Sequence, residues 1–347
     1  GLNAVRVPFG YWVVTGPTQG DAYEGPCLEV LDRAVALAAA HGLQVLLDLH
    51  GCPGGESGER PCGRSNASWQ WWNWRFKETL AVLHAVAERY KDTACVTGLQ
   101  VCNEPSCLVP VEHLCRYYER AVETIRAAGM GPERVAVVLP VFNQDRLSEV
   151  YDCWEGRGNF LKHDNVAFDL HFYHQFSSVW TLLSHEQHLQ VVREHARELA
   201  LLPGAIVGEW SLSRASSSDF TDEEKAEFAR MQVAAYNHAS HGWFFWNWHD
   251  YERYKDWDME RGVFGQGRLP LPLQGEARDG LLYPEWEEDG GAKVPAETLA
   301  GFWPNALAWM PTLSPWAWWA QRGLQGSPPP GALEGLEEEP GTPWATR

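Results

Sequence analysis

The chain has 347 residues, enough for one large domain with an extension or for two ordinary domains. Its net charge of −18 argues against nucleic acid and anionic membranes as partners, because neither attracts a strongly acidic surface. No apolar run reaches the roughly 18 residues that a membrane span requires, and the start at Gly1, without a signal-like segment, reads as a processed form or a fragment.

An apolar fraction of 45% supplies a core, and 19 Trp exceed what that core requires, so flat surfaces that stack on a neutral ligand such as a sugar ring are expected. The eight cysteines show no zinc-ligand spacing, and no metal is expected. Cys52 and Cys62 flank the Gly-rich loop CPGGESGERPC and are candidates for a disulfide. With the sequon Asn66-Ala67-Ser68, a glycosylation candidate, they point to an oxidising, secretory route and an extracellular or cell-surface location.

In chain order, short β-branched apolar runs alternate with stretches of helical spacing. LNAVRVPFG ends near Arg6, and Glu24 to His41 reads as a helix. LQVLLDLHG ends on His50 and is followed by a helical pattern from Trp69 to Tyr90. CVTGLQVCNEP ends on Glu104 and leads into a helix from Glu112 to Ala128. RVAVVLP precedes a short helical piece, and NVAFDLHFYH ends on His171 and Tyr173 ahead of a helix from Ser184 to Leu202. GAIVGEWS ends on Glu209, and the helix from Asp222 to His238 delivers HGWFFWNWH, which carries Trp246 and Trp248.

Strand ends near positions 6, 50, 104, 140, 171, 209 and 246 are mostly one βαβ unit apart. Near-continuous apolar strands between amphipathic helices predict a parallel sheet covered by helices. No GxGxxG follows the first strand, so a dinucleotide-binding open sheet has little support. Seven strands are one short of closure, and the expected fold is a (β/α)8 TIM barrel over residues 1–270 that lacks its first β/α unit at the N-terminus. Residues 271–347 form a Trp/Pro-rich extension with eleven acidic and four basic side chains, so −7 of the −18 lies there. Its last part, GSPPPGALEGLEEEPGTP, reads as disordered.

Functional residues of a barrel gather where strands end and loops begin. Glu104 and Glu209 stand at two such ends, 209 − 104 = 105 residues or three units apart, and would face each other across the barrel mouth. Paired carboxyls suit glycoside hydrolysis, where one protonates the leaving oxygen and the other attacks the anomeric carbon or activates water. No cofactor is required.

VRVPFGYW, LLDLHG, VCNEPS, HFYH, VGEWS and GWFFWNW, in this order and at these spacings, resemble glycoside hydrolase family 5 of clan A, and most its exo-β-1,3-glucanase branch. The resemblance covers roughly residues 1 to 270. It implies a retaining double displacement with Glu104 as acid/base and Glu209 as nucleophile. It implies further that Asn103 meets the sugar 2-hydroxyl, Arg6 and Tyr173 hold Glu209, His50 meets a sugar hydroxyl, and His171 lies near Glu104. Trp246 or Trp248 would floor the reacting sugar. The implied substrate is a β-glucan or oligosaccharide, with a β-1,4-glucanase, β-mannanase or glucosylceramidase-like enzyme as rivals. An inactive glycan-binding barrel or truncated product is the rival of another class. The loop after His50 departs from the fungal exo-glucanases, placing Glu59 and Pro61 near positions where they carry an aromatic and an Asn.

Overall fold

A computed structural model describes residues 2–18, 21, 23, 25–142, 146–215, 220–250 and 254–265; the extension expected over 271–347 lies outside them. The described residues fall into two compact units, one within residues 3–167 and one starting at Phe168.

In the first unit β1 (Ala4–Gly10) is followed by a single helical turn, α1 (Tyr11–Thr15), which Gly16 ends at φ 78°, and then by α2 (Leu28–Ala40). Next come β2 (Gln44–Gly51), α3 (Phe76–Tyr90), β3 (Val96–Gln100), α4 (Val111–Ala127), β4 (Ala136–Phe142), α5 (Leu147–Gly156) and α6 (Asn159–Lys162). β1 to β4 pair in parallel in chain order, with Arg6 opposite Leu46, Leu47 opposite Leu99 and Leu99 opposite Val137. Val45, Leu46, Leu47 and Leu49 are all buried, which is why β2 reads as a continuous apolar run rather than an alternating one. α3 buries Phe76, Leu80, Leu83, Ala87 and Tyr90 at helical spacing against this sheet layer.

Several boundaries differ from expectation: β1 runs past Arg6 to Gly10, α2 starts at Leu28 rather than Glu24, and the strand expected to end on Glu209 runs on to Arg214. The helical pattern from Trp69 yields only a short 3₁₀ turn, Trp71–Asn73, before α3. Gln70 and Asn73 cap that turn reciprocally, and Trp74 then turns extended so that its indole is buried and donates to Thr79 Oγ1 at 3.1 Å. β3 stops at Gln100, because past it only Val101 keeps a ladder bond, to the Val138 carbonyl at 3.1 Å, before the turn at Asn103 and Glu104.

The second unit contains β5 (Val166–His174, from Phe168 onward), α7 (His185–Leu201), β6 (Ala205–Arg214) and α8 (Asp222–Tyr236). β5 and β6 are parallel, with His171 opposite Glu209. Both helices open on reciprocal capping boxes, Ser184 with Gln187 and Thr221 with Glu224, so their starts fall where the sequence places them. The seventh run, 241–249, makes one parallel bridge, Trp243 to Val207, and Trp246 N–H donates to the Trp210 carbonyl at 2.8 Å. It does not continue as a strand, because Asn247 N–H and Asn247 C=O instead pair with Trp257 and Met259. The chain thus carries the parallel βα alternation of a (β/α)8 barrel with six regular strands among the described residues. No described helix is long and apolar enough to cross a membrane.

Candidate active site

The first unit assembles a hydrogen-bonded chain from β1, β2 and the end of β3. Side chains two apart on a strand share a face, so Asp48 and His50 point the same way. Arg6 donates from Nε to Gln100 Oε1 at 3.0 Å and from Nη2 to Asn103 Oδ1 at 2.9 Å, and its Nη2 pairs with Asp48 Oδ2 at 3.0 Å. The same Asp48 oxygen meets His50 Nδ1 at 2.7 Å, and His50 Nε2 lies 3.3 Å from Asn103 Nδ2.

Donor logic fixes every orientation in this chain. Arg has no acceptor, so the Asn103 atom facing it is the oxygen, and Nδ2 is left to donate to His50 Nε2. His50 therefore carries its proton on Nδ1 and gives it to Asp48. Asp48 is fully buried and holds both Arg6 and His50 on one oxygen.

Glu104 follows this chain directly and is 8% exposed. Pro105 after it favours an extended backbone at Glu104. Tyr117 O–H donates to the Val101 carbonyl at 2.5 Å, and Ser106 N–H donates to the Glu56 carbonyl at 3.0 Å, so the segment is anchored on both sides of Glu104. Glu56 is itself fully buried; its Oε2 accepts from Cys52 N–H at 3.0 Å while Oε1 has no partner. Burial pushes its carboxyl up to about 7, against the lowering effect of backbone donors and His50 and with a small further rise from Asp48. Glu59 in the same loop is raised by partial desolvation of its carboxyl and then by the charge of Glu104.

The expected Cys52–Cys62 disulfide is not formed: both are buried free thiols. The Cys62 sulfur turns instead to the carbonyls of Ser57 and Glu59, at 2.9 and 3.1 Å, while Cys52 packs against Glu56. The loop is closed by backbone rather than by sulfur. Gly54 has φ 80°, and a Cβ there would stand 1.8 Å from the Asn73 carbonyl oxygen. Asn66 is exposed, and its side-chain oxygen accepts from the Ser68 amide and hydroxyl at 3.1 and 3.2 Å.

The second unit builds a comparable arrangement around Glu209, which is 4% exposed. Tyr173 O–H donates to Glu209 Oε2 at 2.7 Å, and His171 Nδ1 lies 3.6 Å from the same oxygen. His171 Nε2 meets Asp169 Oδ2 at 3.1 Å, and Asp169 Oδ1 accepts the Gly208 amide at 2.6 Å. Asp169 thus fixes both the imidazole beside Glu209 and the backbone immediately before it. A Cβ at position 208 would stand 2.4 Å from Asp169 Oδ1, so a side chain there would displace the carboxylate that holds the Gly208 amide. Trp246 is half-buried, and Trp248 is 51% exposed with its ring 6.2 Å from that of Phe264.

Of the residues singled out in the sequence, the first unit brings together Arg6, His50 and Asn103, with Glu104 next in the chain; the second gathers His171, Tyr173 and Glu209. Within its own unit Arg6 is held by Asp48, Gln100 and Asn103. Sequence reading missed Asp48, Glu56, Gln100, Asp169 and Gly208. The two aspartates had a visible signal: the tripeptide Asp-Leu-His occurs on β2 and again on β5, each Asp bonded to the His two residues on.

Parallel βα units that carry buried carboxyls held by His and Tyr suit a carbohydrate-cleaving hydrolase, and residues 1–252 match the family Cellulase (glycosyl hydrolase family 5). The chain belongs to that family and is a glycoside hydrolase. Among its curated relatives, a protein of Aspergillus niger named probable glucan 1,3-beta-glucosidase A is 30% identical over 75% of this chain and 69% of its own length. Its counterpart from Emericella nidulans is also 30% identical, over 79% of this chain and 74% of its own. A rutinosidase structure from Aspergillus niger aligns with TM-score 0.56 at 18% identity, covering 71% of this chain and 70% of that one. An endoglucanase structure from Pseudomonas stutzeri aligns with TM-score 0.52 at 20% identity and 75% coverage of each. These structural likenesses concern the fold alone.

Proposed function

We propose that the chain is a retaining β-glycosidase acting on β-glucan, foremost as an exo-β-1,3-glucosidase, with Glu209 as nucleophile and Glu104 as acid/base. The observation that carries the reading is the Tyr173 hydroxyl on Glu209 with His171 beside it: a donor on a carboxylate favours the ionised form that a nucleophile needs. The glucan 1,3-beta-glucosidase relatives support the substrate class.

In this reading Glu104 gives its proton to the departing glycosidic oxygen while Glu209 attacks the anomeric carbon. The route requires the two carboxyls about 5 Å apart. Esterification then removes the charge of Glu209 and with it the repulsion that kept Glu104 protonated, so Glu104, having given its proton to the leaving oxygen, stays ionised and draws a proton from the attacking water. Asn103, its amide oriented by Arg6 and His50, offers a hydrogen bond to the sugar 2-hydroxyl that strengthens as positive charge develops on the ring. Trp246 floors the sugar. The chemistry uses no metal or cofactor. The exposed sequon at Asn66 supports an extracellular or cell-surface setting.

The test is incubation with laminarin and with cello-oligosaccharides while the released anomer is followed by NMR, together with labelling by a 2-deoxy-2-fluoroglucoside. Release of β-glucose from laminarin and a label on the Glu209 peptide are expected. Release of α-glucose, or a label elsewhere, overturns the mechanism; release from cello-oligosaccharides alone overturns the linkage.

A further inference from the structure

Helices α4 and α5 each turn one cysteine toward the other. Cys115 Sγ on α4 lies 3.9 Å from the carbonyl oxygen of Val150, one turn before Cys153 on α5. Reciprocally, Cys153 Sγ lies 3.9 Å from Glu112 Oε2, one turn before Cys115. These crossed contacts place both sulfurs in the same interhelical gap, one turn from each other's neighbours on the facing helix.

The backbone around the pair is held in place. Leu114, Tyr118, Val150 and Trp154 are buried beside it, and Arg157 pairs with Glu119 where α5 ends. Cys115 is fully enclosed, whereas Cys153 is partly open to solvent.

We propose that Cys115 and Cys153 form a disulfide that clamps α4 to α5 when the chain meets a thiol-exchanging disulfide. The Cys153 thiolate attacks one sulfur of the donor disulfide, forming a mixed disulfide and expelling the first donor thiolate. Cys115 then gives up its proton and attacks the Cys153 sulfur, expelling the second. Two protein thiols are oxidised by two electrons, one donor disulfide is reduced to two thiols, and the released protons go to the leaving thiolates.

Access decides the order of attack. Burial raises both thiols, that of Cys115 most, while Arg157 opposes the rise at both. Cys153, the more open, is the entry point. The bridge would close a segment of 153 − 115 = 38 residues that contains β4, and so would restrict the unfolded chain.

The experiment uses the native full chain treated with oxidised glutathione, quenched, and cut after glutamates without reduction. Cleavage after Glu112, Glu119, Glu149 and Glu155 isolates HLCRYYE and VYDCWE, each with one cysteine. The expected result is these two peptides joined, and a midpoint of thermal unfolding raised by about 5 to 10 °C and restored by reductant. Cys153→Ser, at the partly open position, should fold as the parent does and show neither change; Cys115→Val checks the buried partner at similar volume. Recovery of the peptides unlinked, whether free or each carrying glutathione, overturns the proposal. So does a joined peptide that forms only in denatured protein, or a thermal gain that persists in Cys153→Ser.

Discussion

Tyr173 and Glu56 are two side chains whose chemistry is set by what surrounds them. The Tyr173 hydroxyl is a donor to Glu209, and a hydrogen bond to a charged group is worth about 1.5 to 3 kcal/mol. Tyr173→Phe should therefore lower kcat/KM by about 10- to 100-fold, while leaving the melting temperature nearly unchanged. Parental turnover in that variant would remove Tyr173 from the machinery around Glu209. Glu56 makes a prediction about stability instead. Its carboxyl is raised to about 7 in the folded chain from an ordinary value near 4.5, so between these pH values the folded state holds a proton that the unfolded state has lost. Stability from this group is complete below about pH 4.5 and is lost as pH rises through 7, a change on the order of 3 kcal/mol. Glu56→Gln keeps an acceptor for Cys52 N–H and cannot ionise. Its melting temperature relative to the parent should climb by about 5 to 10 °C between pH 5 and pH 8; parallel curves would show that Glu56 does not titrate in this range.

Where β5 meets α7, the elements bury three histidines, His174, His188 and His195. His174 Nδ1 and His188 Nδ1 lie 2.8 Å apart, and the His195 ring stacks on Phe172 at 3.9 Å with neither ring nitrogen hydrogen-bonded. Burial lowers all three, His188 to about 4 and His195 to about 3, and His174 well below the usual range. Arg214, itself buried with its guanidinium 3.6 Å from the centre of the Phe220 ring, lowers His174 and His188 further. The sign is opposite to that of Glu56. Below about 6.5 the unfolded histidines take protons that the folded ones refuse, so stability falls as pH drops toward 4. His195→Phe should shrink the loss of melting temperature between pH 7 and pH 5, recovering about 2 kcal/mol. An unchanged acid limb would place the sensitive group elsewhere.

These elements also show what the sequence makes legible. Helix starts at Ser184 and Thr221 are readable because capping is local chemistry: the residue and its partner are three positions apart. Glu104 and Glu209 are readable because each ends an apolar run. Glu56 is not, because nothing in a Gly-rich loop reveals which of its two acids, Glu56 or Glu59, folds inward, and the Cys52–Cys62 expectation failed in the same loop for the same reason. Trp69 to Trp74 has helical spacing, yet burying Trp69, Trp71 and Trp74 together required a turn and an extended residue rather than a helix. The seventh strand has the right composition, but its backbone partners at Trp257 and Met259 lie in a segment that no periodicity identifies.

For the molecule as a whole, the opposing titrations of the histidine cluster and of Glu56 bound a window of greatest stability. Melting temperature plotted against pH should peak at about pH 6 to 7, because up to about 6.5 the gain from three histidines outweighs the loss from the single carboxyl of Glu56. In Glu56→Gln the peak should move to higher pH and broaden. A curve still rising at pH 8 in the parent would mean that other buried groups outweigh both.

At Gly208 the side chain of Asp169 occupies the space a methyl group would need, while its oxygen grips the amide that precedes Glu209. Every missense change at this codon introduces a Cβ that must push the Asp169 carboxylate off the Gly208 amide. A lineage could lose activity through a residue that has no side chain and touches no substrate, and a count of the acidic and aromatic residues at the site would still find all of them in place.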